Sequence, residues 1–354
     1  MIIYLLYFVC SLFLALLITP QVKRLAVYLG CVDKPILSRK IHTSQMPMLG
    51  GLGVFICSVV VIGLIVLAGH WNFDVVPLRF LLAIMLGGIV LMFGGYLDDK
   101  FTLPAKISWL FPALAGLIIV SSGIGIGITV LTNPLGGNIP LSGKILGLPL
   151  SGLFVWIWIM GMTYTTKLLD GLDGLAAGVA LIGGLVMFTL SLTDKIDQPT
   201  TATLAIIFVG ALAGYLFYAF NPASIFLGEG GSTYLGFFLA VLSVLTGAKI
   251  ATAVLVMGIP IFDVIWAIIR RIYRKTSPFK ADREHLHHLL LDSGLSQRQA
   301  VLIFYALSAI FGFMAVFLQS MGKLLALGIL LALMVGILGF LASFYKKKQL
   351  QVKS

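Results

Sequence analysis

The acids of this 354-residue chain number 13, and seven of them gather in four short stretches. Two stretches carry paired carboxylates among glycines: Gly94-Gly95-Tyr96-Leu97-Asp98-Asp99-Lys100 and Leu168-Leu169-Asp170-Gly171-Leu172-Asp173-Gly174. Clustered carboxylates repel one another unless a proton or cation lies between them. A hard divalent cation with oxygen ligands is the simplest compensation. Mg²⁺ fits best, with Mn²⁺ as a substitute, because it takes one or two carboxylates and completes its shell with substrate phosphates. Asp98-Asp99 and Asp170-x-x-Asp173 are the carboxylates such a cation would compensate. Glu229 lies in a third stretch, Phe220 to Ser232, which also holds Asn221 and three glycines just before an apolar run. Ser232 is placed to cap a helix there, and exposed N–H groups at a helix start favour a phosphate. Taken alone, that segment reads as a tight turn with a satisfied cap; beside two acidic loops it becomes part of one site.

A fourth stretch, Asp282-Arg283-Glu284-His285-Leu286-His287-His288, sets three histidines and an arginine within six residues. Such a cluster could ligate zinc, but it contains no cysteine and accompanies hard-acid loops. Phosphate contacts and charge stabilisation, with one histidine in proton transfer, are the preferred reading. Asp263 sits inside an apolar run, where it pairs with a lysine, faces a cavity or snorkels to the surface.

These groups must be positioned by membrane helices. Residues of the AVILMFWYC set make up 60% of the chain and charged residues 10%, with a mean hydropathy of +1.08. That composition excludes a soluble, water-facing surface, a disordered chain and a nucleic-acid-binding module. The net charge of +11 instead suits loops beside anionic lipid. Cys10, Cys31 and Cys57 are odd in number and scattered, making neither a metal cluster nor a disulfide set. Reading apolar runs of about 20 residues predicts eleven spans near 2–22, 51–69, 77–97, 105–122, 150–166, 174–193, 200–219, 231–246, 249–269, 298–319 and 323–345. Residues 123–149 do not span; their turn residues and short β-type runs predict a small hairpin on the outer side. Residues 270–297 form the longest cytoplasmic loop, and 1–354 reads as a single integral membrane domain. Of the 24 Lys and Arg, only Arg79, Lys144, Lys195, Lys249 and Lys323 fall on the side opposite the first inter-helix loop. The positive-inside rule then places the N-terminus outside, the C-terminus in the cytoplasm and the acidic loops at the cytoplasmic face. The first run has no basic n-region or small-residue cleavage site, which predicts an uncleaved helix.

Taken together, the loops resemble the polyprenyl-phosphate N-acetylhexosamine-1-phosphate transferases, glycosyltransferase family 4. The matching stretches are Asp33-Lys34-Pro35 through Arg39, His42 and Pro47 to Gly51, then Gly94 to Lys106. Leu169 to Leu175, Asn221 through Ser232 and Asp282 to His288 follow in the family's order over almost the whole chain. Eleven helices and the His-Leu-His-His pattern are closer to the undecaprenyl-phosphate GlcNAc-1-phosphate branch than to the phospho-MurNAc-pentapeptide branch. The resemblance implies an all-α polytopic protein of the bacterial-type inner membrane whose substrates are a UDP-N-acetylhexosamine and polyprenyl phosphate. It would transfer GlcNAc-1-phosphate and release UMP, starting a cell-envelope glycan such as teichoic acid or lipopolysaccharide O-antigen; a MurNAc-pentapeptide or another amino sugar is the alternative donor. It further implies catalytic roles for Asp98, Asp99, Asp170, Asp173, His285, His287 and His288. Substrate contacts fall to Arg39, His42, Lys100, Lys106, Lys167, Asn221, Asp263 and Arg283, with Mg²⁺ on Glu229, Asp173, Asp98 and Asp99; a homodimer stays open. Three positions depart from the pattern: Tyr164 and Lys167 stand where two asparagines are usual, and Glu229 where Asp is usual. A transporter is the rival from another class, but its ionisable groups belong near the bilayer midplane.

Overall fold

The computed structural model describes residues 1–33, 45–128, 130–132, 137–145, 148–247, 249–275 and 285–352. The chain begins with helix α1 (Ile2–Leu29), then strands β1 (Val32–Asp33) and β2 (Met46–Pro47), α2 (Gly50–Leu67), α3 (Leu78–Phe101), α4 (Ala105–Ser108) and α5 (Leu110–Ser122). Strands β3 (Val130–Thr132), β4 (Asn138–Pro140), β5 (Lys144–Ile145) and β6 (Leu148–Pro149) precede α6 (Leu150–Leu169), α7 (Leu175–Ser191), α8 (Pro199–Ala219) and α9 (Gly228–Leu245). The remaining elements are α10 (Ile250–Val256), α11 (Gly258–Tyr273), α12 (Leu286–Asp292), α13 (Gln297–Phe317) and α14 (Ser320–Val352).

Each of the eleven apolar runs is helical, yet fewer qualify as spans. Among the described residues, eight helices are long and apolar enough to cross a membrane, or nine if α10 and α11, bent by 80° at Met257, count as one. α7, with 17 residues, falls short in length. α6 ends in Thr163-Tyr164-Thr165-Thr166-Lys167, which lowers its apolarity, and is not among the eight. The segment predicted as a hairpin holds two small antiparallel ladders, β3 with β4 and β5 with β6.

The core lies around α8 and α9, whose membrane-length windows are 78% and 83% buried, against 22% for α1 and 17% for α14. α1 and α7 pack on α8, while α3 and α6 pack on α9. Aromatic side chains fill the centre: Phe208 and Phe238 stack with ring centroids 4.6 Å apart, and Tyr234 meets Phe55 edge-on at 5.4 Å. With no hydrophobic drive between helices in lipid, close backbone approach over small residues is a principal source of attraction. Here it occurs at the start of α9. A Cβ on Gly51 of α2 would collide with the Gly231 backbone, and one on Gly95 of α3 would collide with the Gly230 backbone. These pairs let α9 lie directly against both α2 and α3, carrying Glu229 with it.

Candidate functional site

The N-terminal end of α9 begins earlier than its sequence suggests. Gly228 opens the helix and Glu229 lies in its first turn, so Ser232 is no cap; its hydroxyl donates to Glu229 O at 3.2 Å. Asp99 of α3 does the capping instead. Both its carboxylate oxygens accept from the Glu229 N–H at 3.1 Å. A carboxylate at a helix N-terminus is favoured by the unpaired N–H groups and the helix dipole.

Asp98, one residue earlier, holds the turn after α3: Leu103 N donates to its Oδ1 at 2.7 Å and Ser108 Oγ to its Oδ2 at 3.2 Å. Ser108 also reaches Glu229 Oε1 at 3.5 Å. On the other side of Glu229, Lys167 from the last turn of α6 places Nζ 2.5 Å from Oε1. The Tyr164 ring lies under that ammonium at 5.7 Å. Thus the three positions that depart from the family pattern meet in one contact set.

The loop after α6 presents the second acid pair. Asp170 stands accessible in a cavity yet is surrounded by protein; the loss of bulk water, then the charges of Glu229 and Asp173, push its carboxyl above the usual range. Asp173 ties this loop to the one after α8: its Oδ2 accepts from Asn221 Nδ2 at 2.9 Å and from Ala223 N at 3.0 Å. Asn221 is held further by Gln297 Oε1, which accepts from Nδ2 at 2.8 Å, and by Arg298, whose Nε donates to Asn221 O at 2.9 Å.

The histidines divide in role. His285 Nδ1 lies 2.9 Å from Asp263 Oδ2, and the Leu286 N–H donates to Asp263 Oδ1 at 2.8 Å, so buried Asp263 caps α12 and orients His285. His287 is 2% exposed, and its Nδ1 has no hydrogen-bond partner among the described residues. Its ring lies against Gly171, where any Cβ would strike Nε2, and 4.3 Å from the His288 ring. Burial, then the neighbouring His288 and His285, push its pKa down to about 3, so it is neutral at physiological pH.

Together these loops bound a cavity of about 800 Å³ lined by Asp33, Asp99, Lys167, Asp170, Asp173, Asn221, Glu229, His288 and Gln297, with Met46, Met48 and Phe226 on one wall. Sequence reasoning therefore places Asp99, Asp170, Asp173, Glu229, Lys167, Asn221 and His288 at one cavity. Asp98, Asp263, His285 and His287 stand behind it. Lys100 and Lys106 are exposed and do not line it, and Lys100 donates to Tyr96 Oη at 3.1 Å. Arg39, His42 and Arg283 lie outside the described residues. Ser108 and Gln297 were not singled out by sequence; the Ser296–Gln299 capping box that starts α13 was the available signal for Gln297.

Among the described residues no three His, Cys, Asp or Glu side chains are placed to form a metal cage. The donor set still suits a hard cation that uses one or two carboxylates and takes its other ligands from phosphate and water. Glu229, Asp170 and Asp173 face the cavity from which it would be shared.

A multi-pass membrane bundle with an acid-lined polar cavity, Lys167 in its wall, is the class these features define. The glycosyl transferase family 4 model matches residues 81–247. A "probable undecaprenyl-phosphate N-acetylglucosaminyl 1-phosphate transferase" of Bacillus subtilis is 36% identical over 339 residues, covering 93% of this chain and 88% of the relative. A "decaprenyl-phosphate N-acetylglucosaminephosphotransferase" of Mycobacterium tuberculosis is 31% identical, covering 81% and 75%. An "undecaprenyl-phosphate alpha-N-acetylglucosaminyl 1-phosphate transferase" of Escherichia coli K12 is 26% identical, covering 79% and 74%. The chain belongs to glycosyl transferase family 4.

Proposed function

We propose that this protein transfers GlcNAc-1-phosphate from UDP-GlcNAc to a polyprenyl phosphate, giving polyprenyl-diphosphate-GlcNAc and UMP. The observation that carries the reading is the convergence of Asp99, Asp170, Asp173, Glu229 and Lys167 on one cavity in a membrane bundle. The names of the relatives supply the donor sugar and the lipid. An oxygen of the lipid phosphate attacks the sugar-bearing phosphorus, and the bond from that phosphorus to the bridging oxygen breaks, leaving UMP with the oxygen. A phosphate monoester has its second pKa near 6, so the acceptor is largely dianionic at pH 7 and needs little help from a base. Positioning and charge neutralisation carry such a transfer. Bound Mg²⁺ would supply neutralisation of the diphosphate, held by Glu229 with Asp170 or Asp173. The chain's own part is to fix the groove: Asp173 and Asn221 lock two loops together, Asp99 pins the start of α9, and Asp263 orients His285. The asymmetry of basic residues supports an inner-membrane protein with this cavity at the cytoplasmic face.

Purified protein supplied with polyprenyl phosphate, Mg²⁺ and a panel of UDP-sugars, including UDP-MurNAc-pentapeptide, tests the reading by UMP release. UDP-GlcNAc should be the best donor and EDTA should suppress turnover. Failure of every UDP-sugar to release UMP would overturn the proposal.

A further inference from the structure

We infer that Lys167 is a built-in cation for the donor's diphosphate, so that donor binding depends on a divalent ion less steeply than an acid-lined cavity otherwise demands. The inference rests on the proposed function and concerns how this chain in particular manages its charge. Asp33, Asp99, Asp170, Asp173 and Glu229 line the cavity, and Lys167 is the only Lys or Arg among its described lining residues. A diphosphate entering such a space meets acidic groups on several sides, and each one that is ionised repels it, a repulsion that cations at the site offset.

Lys167 is placed to offset it. Its ammonium, 27% exposed, pairs with Glu229, itself 17% exposed, at 2.5 Å. An ammonium carries three N–H donors, and Glu229 is its one ion-pair partner among the described residues. Tyr164 lies beneath it at 5.7 Å, a cation–π contact that holds the charge at the cavity wall. Ser108 Oγ lies 3.5 Å from the same Glu229 oxygen that Lys167 pairs with. The remaining ammonium donors are free to meet phosphate oxygens in the cavity, as charge-assisted hydrogen bonds. Tyr164, Lys167 and Glu229 are the three departures from the family pattern noted in the sequence, and they touch one another. A neutral side chain at 167 would leave Glu229 without that ion pair and remove the one Lys or Arg among the described residues that line the cavity.

The test is calorimetric binding of UDP-GlcNAc to the full-length protein in detergent, without acceptor lipid, at millimolar Mg²⁺ and in EDTA. Wild type should weaken by less than about tenfold on moving to EDTA. Lys167→Gln should weaken by about a further ten- to hundredfold in EDTA, the range for one charge-assisted hydrogen bond, and recover most of that loss with Mg²⁺. Lys167→Arg should keep the wild-type ratio. The double variant Lys167→Gln/Glu229→Gln removes the stranded carboxylate and covers the case in which the single variant does not fold; its affinity in EDTA should also fall. Loss of all wild-type binding in EDTA, or the same Mg²⁺-to-EDTA ratio in Lys167→Gln as in wild type, overturns the inference while leaving the proposed function standing. Absence of wild-type donor binding even with Mg²⁺ overturns both.

Discussion

Asp173→Asn separates chemistry from architecture at this site. In the structure a single oxygen, Oδ2, accepts both the Asn221 side-chain N–H and the Ala223 backbone N–H. An asparagine with its carbonyl oxygen in that place keeps both donors satisfied and loses only the charge. Hydrogen bonds to charged groups contribute about 1.5–3 kcal/mol and neutral ones about 0.5–1.5. The stability cost of Asp173→Asn is therefore about 2–3 kcal/mol across the two bonds, a shift of several degrees in melting temperature. Asp173→Ala removes both bonds and strands the Ala223 N–H, while Asn221 keeps Gln297; its cost should be about 2–5 kcal/mol. If the Asp173 carboxylate also faces developing charge or a shared cation, loss of its charge should lower turnover by about 10²–10³, or about 3–4 kcal/mol. The assay is UMP release from UDP-GlcNAc beside a thermal melt of the same preparation. The expected pattern is a small melting shift with a large loss of turnover for Asp173→Asn. Wild-type turnover in a folded Asp173→Asn variant would refute the chemical role and leave Asp173 as a loop tie.

Three further outcomes follow from the same geometry. Gly95→Ala drives a Cβ into the Gly230 backbone and should cost about 1–3 kcal/mol or more, lowering the monodisperse yield in detergent; Gly63→Ala in α2, with open space around it, should be neutral or mildly stabilising, and equal behaviour of the two would sink the close-crossing argument. Asp263→Asn and His285→Ala should be non-additive in stability, with a coupling of about 0.5–3 kcal/mol, because Asp263 holds both His285 and the start of α12; simple additivity would count against that pairing. His287 has a folded pKa near 3 against an ordinary value near 6.5. As pH falls below 6.5 the unfolded chain takes up the proton and the folded one does not, so stability drops progressively down to about pH 3. Between pH 6.5 and 5 this removes about 2 kcal/mol, and His287→Gln should flatten that part of the stability–pH curve; identical slopes would show that the ring is not buried neutral.

Much of the cavity is legible in the sequence because acids are rare in so apolar a chain. Asp99, Asp170, Asp173 and Glu229 stand out at once, and their loops do converge. What local pattern does not show is which partner each acid takes. The Asp263–His285 contact joins residues 22 apart, and that of Asp99 with the Glu229 N–H joins residues 130 apart. Ser108 and Gln297 are ordinary polar residues at helix ends until the fold sets them beside Glu229 and Asn221. Helicity of the eleven apolar runs is legible in the sequence, but helix length is not: α7 ends after 17 residues and packs on the central α8.

The glycines of the third acidic loop show where sequence chemistry and structure part company. Their number beside an apolar run suggests a phosphate cradle of exposed N–H groups. In the structure Gly230 and Gly231 are consumed by the crossings with Gly95 and Gly51, and the Glu229 N–H of that turn is taken by Asp99. A helix start already occupied by a carboxylate offers little to a second anion, since both compete for the same donors and repel each other. Attraction for phosphate must then come from side-chain cations or a metal rather than from the α9 dipole. Among the described lining residues that leaves Lys167 as the fixed cation. The tight crossing of α2, α3 and α9 has a second effect: it holds Glu229 where Lys167 can reach it. The same backbone contacts that remove the helix start as an anion site therefore place the ion pair that can serve in its stead.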